Sequence, residues 1–197
     1  MSSFVKVIRE GYSRCIDGSK LAACGSCTLI KSDGLIILVD TLGAWECELL
    51  KSKLRENAIH ASDLDLVICT HGHPDHVGNL NLFLDSQHIV GRSIYRNDVY
   101  SVYDFEKPYV VSRNVKVVHT PGHTLDDVCV IVENVDRLGT VTVAGDLFEN
   151  EADIEDESIW RNAGSEAPEK QVENRKLIMQ MSEFIVPGHG PMFKRKK

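Results

Sequence analysis

The sequence predicts an α/β layered chain. Apolar β-rich runs alternate with stretches at helical spacing, in the order strands, helix, strand, helix, strands, helix, strand. Each group of chemistry-bearing residues follows the end of such a run, where α/β folds place their sites. The length of 197 residues, with 43% hydrophobic and 26% charged, fits one globular domain, 1–197, with a real core.

The elements follow in order. Phe4–Arg9, 26–31 and 35–40 read as strands, the last two joined at Ser32-Asp33-Gly34. Asp-Gly between apolar runs is a strong hairpin signal. Residues 44–58 carry Trp45, Leu49, Leu50, Leu54 and Ala58 at helical spacing. An apolar run over 64–70 then ends in a histidine cluster, and 77–84 reads as a short helix. Val115–His119, 128–133 and 140–144 are β-rich runs between turn residues. Residues 168–184 form the second clear helix, with Val172, Leu177, Ile178, Met181 and Phe184 near one face, and Ile185-Val186 is a short terminal strand.

Composition excludes several classes. The longest aliphatic run, Leu35–Val39, is far short of the roughly 20 apolar residues a membrane span needs. No apolar segment follows Met1, so the expectation is a cytosolic protein without a signal peptide. The net charge of −7 disfavours broad nonspecific nucleic-acid binding. The six cysteines then read as thiols. Cys24-Gly-Ser-Cys27 is a lone CxxC without the second pair of a zinc ribbon, and it leads into a strand rather than the helix of a redox motif. Cys69 and Cys129 sit in apolar runs as small core residues.

The eight histidines are distributed differently. Thr70-His71-Gly72-His73-Pro74-Asp75-His76 presents three imidazoles and a carboxylate within six residues. His71 and His73, two apart, project to one side of an extended segment. Asp75 and His76 follow as the chain turns toward a helix. His123 and His189 each follow Pro-Gly, and Asp40 and Asp146 each end a strand. A lone histidine is most often a satisfied core or surface residue. Five in turn motifs beside two carboxylates point instead to a metal site. Zinc is the first choice, with iron and manganese also suited to imidazole and carboxylate donors.

With THGHPDH at 70–76, PGH at 121–123, GD at 145–146 and PGHG at 187–190, the chain resembles the metallo-β-lactamase superfamily. The resemblance implies an αβ/βα four-layer sandwich of two mixed sheets flanked by helices. It implies two divalent ions, one held by His71, His73 and His123 and one by Asp75, His76 and His189, with Asp146 bridging. Asp75 and Asp146 would be the catalytic carboxylates and a bridging hydroxide the nucleophile. Asp40 matches the family's aspartate that braces the metal loop. The segments 145–160, 165–175 and 186–193 are similar to a small cytosolic and nuclear subgroup assigned endoribonuclease activity on the 3′ end of histone pre-mRNA. RNA is therefore the implied partner, gripped by the core surface or by the second subunit of a homodimer. The alternatives are thioester or ester hydrolysis, as in glyoxalase II relatives, and iron-dependent persulfide oxidation. The extra substrate-binding segment of the glyoxalase II relatives is not expected after His189.

Other residues carry weaker signals. His119 reads as a packing residue or one that supports a ligand, and His60 and His88 as surface residues. The stretch 149–157 holds six carboxylates in nine residues and reads as a solvated loop. If it flanks the cleft it repels RNA. Trp160 and Arg161 are candidates for a substrate wall and an anion contact, with Trp160 as loop anchor the alternative. The basic tail 194–197 reads as a frayed terminus, a phosphate contact or a nuclear address.

Overall fold

Asp33 and Gly34 turn the chain between two apolar runs. Both adopt positive φ, 51° and 86°, the backbone that a two-residue hairpin requires, and Ser32 pairs directly with Leu35. The structure, a computed structural model, describes residues 2–196. Met1 and Lys197, the latter closing the basic tail 194–197, lie outside the described residues.

Five strands come first: β1 (Phe4–Arg9), β2 (Tyr12–Asp17), β3 (Lys20–Cys24), β4 (Cys27–Ser32) and β5 (Leu35–Val39). Helix α1 (Cys47–Glu56) leads to β6 (Leu66–Cys69) and the single-turn α2 (Pro74–Val77). Then follow β7 (Gln87–Val90), β8 (Ser93–Arg96), β9 (Val99–Ser101), β10 (Tyr109–Val110), β11 (Val115–His119), β12 (Val128–Val135) and β13 (Gly139–Gly145). Helices α3 (Ser158–Asn162) and α4 (Pro168–Met181) precede β14 (Phe184–Pro187) and β15 (Phe193–Lys194). A seven-stranded sheet runs β1-β4-β5-β6-β7-β8-β9, a six-stranded sheet runs β10 to β15 in chain order, and β2 and β3 form their own ribbon. Both large sheets are mixed: β5, β6 and β7 are mutually parallel, as are β13 and β14.

Alternation along the strands builds the layers. Ile37 and Val39 of β5 and Leu66 and Ile68 of β6 meet Val117, Val130 and Val143 of the other sheet in a core between the sheets. Leu38 and Val67 point the other way and pack with Leu50 and Leu54 of α1. On the far side Cys129, Ile131 and Ile185 pack with Ile178 of α4. The order is helix, sheet, sheet, helix: the expected αβ/βα sandwich. Among the described residues, no helix is long and apolar enough to cross a membrane.

Four expectations need correction. The helix expected over 77–84 is absent: the turn Pro74–Val77 forms earlier, with Pro74 at its first position, and a separate 3-10 turn spans Leu80–Leu82. Residues 44–58 divide into a 3-10 turn, Ala44–Glu46, and α1, which leaves Trp45 96% exposed rather than in the apolar face. Helix α4 stops at Met181, and Phe184 opens β14 instead. Its buried face is Gln171, Arg175 and Ile178, while Leu177 and Met181 are exposed. Two polar side chains are buried there because each finds backbone carbonyls behind the Asp146 loop.

Candidate metal centre

Parallel pairing gathers the loops. β5 and β6 end at the same edge, so Asp40 lies beside the His71 loop, and β13 and β14 bring Asp146 beside His189. Asp40 takes a left-handed backbone, φ 62°, a strained conformation for a non-glycine residue. It turns its carboxylate under the histidine loop. Oδ1 accepts the Thr70 N–H at 2.7 Å, and Oδ2 lies 2.9 Å from His76 Nδ1. Thr70 Oγ1 reaches Asp40 Oδ2 at 3.1 Å and His71 Nδ1 at 3.1 Å. Gly188 must be glycine on steric grounds, because a Cβ there would overlap the Asp146 carboxylate.

The seven side chains singled out in the sequence meet at this edge. His71 Nε2 and His123 Nε2 each lie 2.9 Å from His73 Nδ1. Asp146 Oδ2 is 3.6 Å from His71 Nε2, 3.4 Å from His123 Nε2 and 3.2 Å from His189 Nε2. Asp146 Oδ1 is 3.2 Å from His76 Nε2. Asp75 Oδ2 lies 3.9 Å from His76 Nε2 and 3.8 Å from His189 Nε2. Two donors about 2.05 Å from one tetrahedral ion sit about 3.3 Å apart, so most of these spacings match ligands around shared ions.

Hydrogen bonding on the outer ring nitrogens leaves the inner ones free. His76 Nδ1–H donates to Asp40, His123 Nδ1–H to Gly164 O at 2.6 Å, and His189 Nδ1–H to Cys24 O at 3.1 Å. Thr70 Oγ1 donates to Asp40 and so accepts from His71 Nδ1–H. In the neutral ring each Nε2 then carries a lone pair aimed inward. Protein groups do not satisfy this arrangement alone. His76 Nε2 and Asp146 Oδ1 are buried without a hydrogen-bond partner. His73 Nδ1 faces two ring nitrogens and, even if protonated, can donate to only one. Two cations among these donors would satisfy all of them, so the residues present fit the metals that the resemblance implies.

The charges agree. Burial, with His76 nearby, holds His71 well below the ordinary histidine range. Burial opposes charge on His76, but Asp146 and Asp40 outweigh it and hold that ring well above the range. Burial likewise opposes charge on Asp146, and His76 and His71 overcome it, holding the carboxyl well below its usual range. His189 is pushed up to about 9: burial opposes its charge, and its bond to Asp146 prevails.

A 150 Å³ cleft above the donors is lined by Ser13, Leu21 and Ala23 of the β2–β3 ribbon together with His73, Asp75, Asp146 and His189. Sharing Leu21, Ala23 and Asp75, a 510 Å³ groove continues from it past Trp45 and Pro74. The residues lining the two include Glu46 and Glu149 but no Lys or Arg.

Not every candidate reaches the cleft. Trp160 is 1% exposed and packs with Arg175, 5.4 Å from its ring, so it anchors the loop. Arg161 stacks on Trp160 at 4.3 Å and pairs with Glu157. Neither lines the cleft. The stretch 149–157 is only partly solvated: Glu149 is 3% exposed and Asp153 0%. Asp153 accepts from Arg175 at 2.7 and 3.0 Å. Glu149 lines the cleft, and burial beside Asp146 pushes it up to about 8. The sequence placed it only within the acidic stretch 149–157, with flanking the cleft as the alternative to a solvated loop, and did not single it out as a site residue. Its position three residues after Asp146 was the available signal.

The remaining residues stay outside. His119 bonds Leu125 O and His88 bonds Phe83 O, each at 2.9 Å; His60 is exposed. Cys69 and Cys129 are buried, as expected. Burial first, then a bond to Glu46, pushes Cys24 up to about 12, and burial holds Cys27 well above the ordinary thiol range. Such thiols are unsuited to redox attack.

Comparison with known proteins agrees with this geometry. A sequence model of the Metallo-beta-lactamase superfamily matches residues 25–116. The chain is 44% identical over 194 residues to Metallo-beta-lactamase domain-containing protein 1 of Xenopus laevis, covering 96% of this chain and 81% of that protein. Identity to the Homo sapiens protein of the same name is 39% over 162 residues, covering 80% of this chain and 59% of that protein. A Thermotoga maritima protein described as a metallo-beta-lactamase superposes with TM-score 0.71 at 22% identity, covering 98% of this chain and 100% of that chain. A quorum-quenching N-acyl homoserine lactone lactonase gives TM-score 0.69 at 18% identity, covering 96% and 92%. The two structural likenesses speak to the fold.

Proposed function

The chain belongs to the metallo-β-lactamase superfamily, and we propose that it is a metal-dependent hydrolase with a dinuclear centre. His71, His73 and His123 would hold one divalent cation, and Asp75, His76 and His189 the other, with Asp146 between them. The observation that carries this is the buried, partnerless pair of His76 Nε2 and Asp146 Oδ1 at the meeting point of the five other ligand side chains. Zinc is the first choice for both positions, with manganese and iron next. When bound, such ions supply Lewis acidity that activates water and polarises the scissile group.

The protein's own groups do the rest. Asp40 and Thr70 fix the tautomers and angles of His76 and His71. Asp75, half-buried at the lip of the cleft, has an oxygen available to hold the proton of the attacking water. Water adds to the phosphorus or carbonyl carbon, the bond to the leaving oxygen or sulfur breaks, and the proton on Asp75 passes to the leaving group.

The substrate we propose first is RNA, at the 3′ end of histone pre-mRNA, with the protein in the cytosol and nucleus. What supports it is the subgroup resemblance over 145–160, 165–175 and 186–193. A homodimer belongs to the same reading, since RNA would then contact a second subunit. Small ester or thioester hydrolysis is the second reading. It is favoured by the lining of the cleft and groove, which offers Leu21, Ala23, Trp45 and Pro74 but no cation to a phosphate chain.

The test is turnover of the zinc-loaded protein on RNA, thioester and β-lactam substrates, with Asp75→Ala as control. RNA cleavage that is lost in Asp75→Ala and whose binding weakens as salt rises supports the first reading. Thioester turnover with RNA untouched selects the second. Wild-type turnover in Asp75→Ala overturns the role given to Asp75.

A further inference from the structure

Glu149 is a buried carboxylate that the dinuclear scheme does not use. It is 3% exposed, lines the 150 Å³ cleft, and places Oε2 4.0 Å from His189 Nε2. One donor atom each from Asp146, Glu149 and His189 lies within 4.8 Å of the other two. Donors on opposite sides of one ion are about 4.2 Å apart, so the Glu149–His189 spacing falls within the span of a single coordination shell.

Its backbone is clamped at both ends. The Glu149 N–H donates to Asp153 Oδ2 at 2.6 Å, and its carbonyl accepts the His189 N–H at 2.8 Å. Asp153 is itself held by Arg175. Among the described residues, no hydrogen bond reaches the Glu149 carboxylate. The ionised form of a carboxylate buried this way is costly unless a cation faces it. Asp146, which shares that grouping with Glu149 and His189, carries a partnerless Oδ1 3.2 Å from the equally partnerless His76 Nε2.

Counting Glu149 makes the two positions unlike. The first has three imidazoles and Asp146. The second has two imidazoles and the carboxylates of Asp75, Asp146 and Glu149. Imidazole-rich sites suit zinc, and carboxylate-rich sites suit manganese. We propose that Glu149 is an additional ligand at the second position, making it oxygen-rich and receptive to Mn²⁺ while the first keeps Zn²⁺. This rests on the dinuclear reading above.

The experiment reloads chelator-stripped full-length protein with one equivalent of Zn²⁺, then titrates Mn²⁺ by calorimetry and by electron paramagnetic resonance. Wild type is expected to bind one Mn²⁺. Glu149→Gln is expected to weaken that step by about tenfold or more, with the Zn²⁺ step unchanged as the check on folding. An unchanged Mn²⁺ step in Glu149→Gln overturns the proposal. Should Glu149→Gln fail to fold, anomalous diffraction from Mn²⁺-soaked wild-type crystals decides. A Glu149 oxygen about 2.2 Å from the ion supports the assignment, and one outside bonding distance overturns it. If Zn²⁺ itself does not bind wild type, the dinuclear reading falls, and this proposal with it. If both ions bind but ignore Glu149, only this proposal falls.

Discussion

Asp40→Asn is the substitution whose outcome the geometry fixes most tightly. The Asp40 carboxylate accepts from the Thr70 N–H at 2.7 Å, from Thr70 Oγ1 at 3.1 Å and from His76 Nδ1 at 2.9 Å. Asparagine keeps the shape but has one oxygen and one NH₂. The Thr70 N–H can only donate, so the amide oxygen must stay on it. The NH₂ then faces His76 Nδ1, which has to give up its proton. That proton moves to Nε2, the nitrogen aimed at Asp146 from 3.2 Å, and a protonated nitrogen cannot hold a cation. Disturbing a ligand through its supporting hydrogen bond typically costs about 10–100-fold in metal affinity, or about 1.4–2.8 kcal/mol. The loss should fall on the second ion and spare the first, because Thr70 Oγ1 can still donate to the retained amide oxygen, 3.2 Å away, and so keep the His71 tautomer. Calorimetric zinc titration reads the affinities, and ¹⁵N NMR of the imidazoles reads the tautomer. Two ions bound at wild-type affinity, or an unmoved His76 tautomer, would refute the reasoning.

Three further outcomes follow from the surroundings of the centre. Arg175→Met leaves the Asp153 carboxylate buried without its 2.7 Å partner and should cost about 3–5 kcal/mol in urea unfolding; a loss below about 1 kcal/mol would mean the pair behaves as an exposed one. Gly188→Ala drives a methyl group into the Asp146 carboxylate, so bound metal should fall while far-UV circular dichroism is retained; full metal occupancy would contradict the packing. Burial pushes Asp127 up to about 7, so the folded state holds a proton that the unfolded chain releases near pH 4. Its contribution is present below about pH 4 and is lost as pH rises through about 7. Unfolding free energies of the metal-free protein, taken relative to those of Asp127→Asn, should therefore decline over that window, and a constant difference would contradict it.

The site was more legible in the sequence than its supports were. His71, His73, Asp75 and His76 are close in sequence, and the Pro-Gly turns before His123 and His189 mark strand ends, so local spacing carried the information. Glu149 is different: in sequence it opens an acidic run that looks solvated, and only the clamp from Asp153 and His189 turns it inward. The ribbon of β2 and β3 escaped notice because residues on both its faces are mostly exposed, which erases the period-2 pattern. The short strands β7 to β9 were hidden by their length and tight turns. In α4, hydrophobic spacing pointed to Leu177 and Met181, yet Gln171 and Arg175 are buried because they bond the Asp146 and Leu147 carbonyls. Periodicity cannot see a polar side chain paired to a distant backbone.

Metal content bears most directly on the central claim. Chelator-stripped protein is reconstituted with zinc, desalted and analysed by inductively coupled plasma mass spectrometry beside Asp146→Ala. The convergence of donors predicts about two ions per wild-type chain and fewer in Asp146→Ala. A wild-type chain that retains no ion, or an Asp146→Ala chain that holds as many as wild type, would contradict it.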